Sequence, residues 1–116
     1  MRKLVNGWTA ERVLAQVKKY NDGAKAIKEG TNNICTYQAK NGNRCFVGAF
    51  IPDDHAALNS NFEVSDLLAE HHDLASLMPF DETDDLKDFQ LSHDMANVEF
   101  EGKTYAALTE FLKDCE

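Results

Sequence analysis

Between Gly42 and Pro52 the chain reads Asn-Arg-Cys-Phe-Val-Gly-Ala-Phe-Ile, and this run constrains the fold more than any other stretch. The preceding Asn41-Gly42 pair accepts the positive φ of a tight reversal, and a β-prone run, Ile34-Cys-Thr-Tyr-Gln38, stands on its far side. Together they predict a β-hairpin over 34–50. The second arm is apolar almost throughout, so both of its faces must be covered. A lone hairpin is marginal in water, so helices have to cover it. Pro52 stops the strand, and Asp53 or Asp54 is the expected cap of a short helix through Leu58.

Helical periodicity supplies that cover. Thr9 is the expected N-cap of a helix to Tyr20, with Val13, Leu14, Val17 and Tyr20 on one face. Trp8 is expected to fold back on Val13, and Asn21-Asp-Gly23 to end the helix with residues that accept positive φ. A short helical piece is expected over 24–29. From Ser65 the pattern Leu67, Leu68, Leu74, Leu77 predicts a helix re-phased near His71-His72-Asp73 and ended by Pro79. Thr83 or Asp84 caps a further helix to about Met95, with Leu86, Phe89 and His93 inward. Val98-Glu-Phe-Glu101 alternates and predicts a short strand over 97–100. The last expected helix runs from Tyr105 to Cys115 and buries Leu108, Phe111 and Leu112. The expected architecture is therefore α+β: one helix-dominated domain over 1–116, about four helices packed on a small antiparallel sheet. At 116 residues two ordinary domains do not fit, and 43% hydrophobic against 28% charged residues is the composition of a globular chain.

Charge is unevenly divided. Residues 1–45 hold nine Lys/Arg and three Asp/Glu, a net of +6, while 46–116 hold three Lys and seventeen Asp/Glu, a net of −14. A net of −8 opposes non-specific binding to nucleic acid or anionic lipid, since phosphate attraction needs a basic surface. Arg12, Lys18, Lys19, Lys25 and Lys28 form the one basic stretch, read as a solvated helix face. No stretch approaches the roughly 20 apolar residues of a membrane span, and Asn6-Gly7 cuts short the only signal-like start. A cytoplasmic protein without membrane contact is expected.

At Cys35-Thr-Tyr37 and Gly42-Asn-Arg-Cys-Phe-Val-Gly-Ala-Phe-Ile-Pro-Asp-Asp54 the chain resembles a family of small tailed-phage and prophage accessory proteins. Their pattern is C-x-Y, a glycine turn, then [RK]-C-A-[VI]-G-x-L-I-P-D-[DE]. Leu91-Ser-His-Asp94 is similar to a later segment of the same family. The likeness covers 35–54 closely and 62–94 loosely. Phe46 stands where the pattern prefers Ala, and Ala49 where it often has a third Cys; both departures speak against cysteine-based metal or redox chemistry. The resemblance implies a viral accessory protein acting in the cytoplasm of an infected or lysogenic bacterium.

No constellation specifies a catalyst. Cys35 and Cys45 lack the short C-x₂₋₄-C spacing of zinc sites, and adding His71, His72 or His93 does not supply it. Three cysteines in an unexported chain are expected as reduced thiols, with a Cys35–Cys45 disulfide geometrically available across the hairpin. Cys45 beside Arg44 has the type of an activated nucleophile, but it heads an apolar strand. His71-His72-Asp73 and His93-Asp94, with Asp53 and Asp54, have the residue types of a phosphohydrolase, which needs several long helices to converge them. Neither catalytic residue, metal nor cofactor is expected.

The acidic residues carry the functional expectation. Asp66, Glu70, Asp73, Asp81, Glu82, Asp84, Asp85 and Asp88 form a surface able to steer a cationic partner, with Phe80 as its aromatic anchor. The expected function is inhibition of a host nucleic-acid-handling or defence protein, by occupying its basic groove in place of DNA or RNA. Competing expectations are a small metal- or thiol-dependent enzyme using Cys45 and histidines, or a virion component.

Overall fold

A computed structural model describes residues 2–22, 37–38, 42–60, 62–101 and 103–116. The described residues are helical, and no strand or sheet occurs among them. The helices are α1 (Ala10–Tyr20), α2 (Val64–Glu70), α3 (Thr83–Asp94), α4 (Ala96–Glu99) and α5 (Thr104–Leu112). Three 3₁₀ segments, Val47–Phe50, Ala56–Asn59 and His72–Leu77, link them.

The expected α+β fold with a hairpin over 34–50 is overturned. Gln38 and Arg44 make a single antiparallel bridge, after which the chain coils into Val47–Phe50. Much of the proposed first arm and turn, 34–36 and 39–41, lies outside the described residues. An apolar run of this length has no periodicity to separate a doubly buried strand from a buried helical turn. Here Phe46, Val47 and Ala49 are fully buried between helices, and α1 and α3 both pack against the turn. Gly48 permits this: a Cβ there would lie 2.2 Å from the Tyr37 carbonyl oxygen.

α1 forms as its pattern predicts. The Thr9 hydroxyl accepts from the Arg12 amide at 3.2 Å, and Val13 and Val17 are fully buried. Trp8 packs, partly buried, against the core. Its ring meets Phe50 edge-on at 4.7 Å, and its indole N–H donates to the Leu77 carbonyl. Asn21 ends α1 in extended backbone rather than at positive φ, and its side-chain amide donates to the Arg44 carbonyl at 2.8 Å. The helix from Ser65 breaks at His71, as the re-phased pattern anticipates, and continues as the 3₁₀ segment. The strand expected over 97–100 is replaced by α4, which continues from α3 after a turn at Met95.

Phe89 sits at the centre of the core. Phe46, Phe50, Phe80 and Phe111 surround it, with ring centroids 5.5–5.8 Å away. Around this cluster α3 packs on α2 and α5, and α5 on α1. The N-terminal segment ties down the approach to α3. Asn6 donates to the carbonyls of Ala75 and Met78, and the Val5 amide donates to Pro79. Arg2 bridges to Cys115 in parallel, so residues 2–4 and 114–116 pair beside α5.

Candidate functional site

The acidic residues divide by what surrounds them. Asp66 and Glu70 lie on α2, Asp81 and Glu82 on the approach to α3, and Asp84 in the first turn of α3. All five are exposed, and none pairs with a cation among the described residues. Asp84 faces the positive end of the α3 dipole, a placement that offsets part of its charge. Asp85, beside Asp84 in the first turn, and Asp88, one turn on, face Arg2: its guanidinium lies 4.0 Å from Asp85 and 3.0 Å from Asp88. The same guanidinium stacks on Phe111 at 4.6 Å. These two carboxylates therefore help hold the N-terminal segment on α3 and α5.

Phe80 is not on this surface. It is 1% exposed, against Phe89 and Phe111, because the chain entering α3 turns its ring inward. Sequence order placed it among acids, whereas its apolar area is worth more in the core. Among the described residues, the large apolar side chains that do reach solvent are Phe62, Leu77 and Leu91. Phe62 and Leu77 flank the segment that carries Asp66, Glu70 and Asp73.

Asp73 has a different neighbourhood. Its carboxylate lies 2.9 Å from His55 Nε2, and this hydrogen bond holds the carboxyl below the ordinary aspartate value. His55 Nδ1 in turn accepts from the Ala57 amide at 3.0 Å and so caps the Ala56–Asn59 turn. An acceptor Nδ1 leaves the proton of a neutral ring on Nε2, so His55 donates to Asp73. The ring of His71 packs edge-on against His55 with centroids 5.0 Å apart. The expected cap at Asp53 or Asp54 is thus replaced by His55, a residue with no motif to mark it. Eighteen positions separate it from Asp73, and only the fold makes them neighbours.

Among the described residues, the other candidate chemistries are not brought together. His93 is buried, with its ring edge-on to Phe46 at 5.0 Å and Nδ1 3.2 Å from Asp94. Asp53 accepts from Arg44 at 2.7 Å. The Cys45 thiol is buried against the Tyr37 carbonyl, and Cys35 lies outside the described residues. Cys115 is half-buried, and that burial pushes its thiol above the ordinary value. Among the described residues, no helix is long and apolar enough to cross a membrane. Comparison with protein families, curated proteins and solved structures gives no significant match to this chain.

Proposed function

We propose that this chain is a non-enzymatic phage or prophage accessory protein that binds a host nucleic-acid-handling or defence protein and blocks it. Asp66, Glu70, Asp81, Glu82 and Asp84 take the place of backbone phosphates in the partner's basic groove. One observation supports this above the rest: these five carboxylates stay exposed without a cationic neighbour among the described residues, while Asp85 and Asp88 are drawn to Arg2. Exposed charge without a cationic partner among the described residues raises association rates toward a cationic surface and specifies little by itself. Specificity then needs apolar contact, and Phe62 and Leu77, about two-fifths exposed, supply it in place of Phe80. The resemblance over 35–54 supplies the phage setting.

The test uses a variant carrying Asp66→Asn, Glu70→Gln, Asp81→Asn and Asp84→Asn. The unmodified protein, immobilised, is expected to retain a host protein that added duplex DNA displaces and that leaves as salt rises. The neutralised variant is expected to retain at least about tenfold less, with a flatter salt dependence. Equal retention with an unchanged salt slope, or a captured protein indifferent to DNA, ends this reading.

A further inference from the structure

We propose that His55, His71 and Asp73 form a binding site for a divalent transition ion of the zinc class. One ligand atom from each of the three lies within 4.8 Å of the others. Tetrahedral zinc, with bonds near 2.0–2.1 Å, needs ligand atoms about 3.4 Å apart. The difference falls to side-chain rotation, and Asp73, with its carboxylate 65% exposed, is free to make it. Two imidazoles with one carboxylate favour zinc, cobalt or nickel over magnesium or calcium, which prefer oxygen throughout. Three protein ligands leave a fourth position for water, the pattern of an open site rather than a closed structural one. This inference goes beyond the docking surface and stands apart from it.

The local fold explains why these three meet. α2 ends at His71, where the backbone leaves helical geometry (φ −130°, ψ 75°) before the next 3₁₀ segment begins. That break points His71 and Asp73 to the same side, two residues apart. His55 approaches from the turn it caps, already bonded through Nε2 to Asp73. An ion entering here takes the position of the Nε2 proton. The displaced Nε2 proton, the one N–H proton of the neutral ring, then resides on Nδ1, opposite the Ala57 N–H, and a donor cannot bond a donor. Coordination through Nε2 therefore releases the cap on Ala56–Asn59, so ion binding also moves the Ala57 amide.

The experiment titrates the purified 116-residue chain with Zn²⁺ by calorimetry, and with Co²⁺ by visible absorption. NMR of the imidazoles and of the Ala57 amide accompanies both. Saturable uptake of one equivalent is expected, with the His55, His71 and Ala57 signals shifting and that of His93 unmoved. His55→Asn keeps an acceptor for the Ala57 amide, so the turn retains its cap while the nitrogen ligand is lost. This variant and His71→Ala are each expected to weaken Zn²⁺ binding at least about tenfold. Exposed His72→Ala is expected to bind as the unmodified chain does. Absence of saturable uptake overturns the proposal. So does uptake undiminished in both variants, or a loss in His72→Ala matching theirs. Should a variant fail to fold, the unmodified protein decides: binding that leaves the His55 and His71 rings unshifted places the ion elsewhere. The carboxylates neutralised in the docking test exclude Asp73, so either result leaves the other standing.

Discussion

The guanidinium of Arg44 is gripped from several sides. It donates to the Ile51 carbonyl at 2.8 Å, to Asp53 at 2.7 Å and to Gln38 at 3.2 Å, and it stacks over Tyr20 at 4.1 Å. Its backbone amide donates to Tyr20 and its carbonyl accepts from Asn21, so this one residue joins α1 to the 47–51 turn. Asp53 is well exposed, so the ion pair itself adds little. The buried Ile51 carbonyl left without a donor is the larger loss. Arg44→Ala is expected to cost about 2–3 kcal/mol in urea unfolding. Arg44→Lys recovers little of it, since an ammonium cannot reproduce the planar fork. A loss under about 0.5 kcal/mol would mean the contacts are incidental. At the level of sequence Arg44 is only a positive neighbour for the Cys45 thiol. A polar residue's partners are set by tertiary geometry, so a structural arginine and an activating one are the same letter. His55 is the converse: nothing around it marks a site, and its relation to His71 and Asp73 exists only after folding.

Elements were legible where periodicity ran long enough. α1, α3 and α5 each repeat apolar residues over two turns or more, and their buried faces match: Val13 and Val17, Leu86 and Phe89, Leu108 and Leu112. The failures were short. Four alternating residues over 97–100 fit a strand and a single helical turn equally, and the helix before them decided for the turn. Over 45–51 no alternation existed to read, and β-prone Val, Phe and Ile were overruled by burial on every side. Gly48 carries the consequence. Gly48→Ala drives a methyl into the Tyr37 carbonyl, a backbone atom that cannot step aside. It is expected to cost about 1–3 kcal/mol or to shift the 47–50 turn. The control is Gly42→Ala, where no atom crowds the new Cβ but φ is +90°, so only backbone strain is added. Equal stability of Gly48→Ala and the unmodified protein in thermal unfolding would refute the close approach at Tyr37.

For the whole molecule, the surplus of acids combines with burial to set its response to base. Burial pushes the Tyr37 hydroxyl far above the ordinary tyrosine value, aided by Cys45, Asp94, Glu63 and Asp66. Tyr37 donates to the Phe62 carbonyl at 2.5 Å, the contact that ties Tyr37 to the chain entering α2. Tyr105, which donates to Asn21, is raised by burial and then by Asp22; the Cys115 thiol is raised chiefly by burial. Each group binds its proton more tightly folded than unfolded. Stability is therefore untouched below the unfolded values, 9.0 for the thiol and 10.0 for the phenols, and falls as pH rises through them toward the folded values. The urea midpoint is expected to hold level to about pH 8.5 and to drop steadily by pH 11. Tyr37→Phe lowers the midpoint at pH 8 by losing its hydrogen bond, about 1 kcal/mol, yet loses less on going to pH 11. A midpoint flat to pH 11, or a Tyr37→Phe curve parallel to that of the unmodified chain, would show the phenol is not held neutral by its surroundings. The same measurement separates two origins of base sensitivity: added salt screens general repulsion among exposed carboxylates, but leaves the desolvation of a buried phenol nearly unchanged.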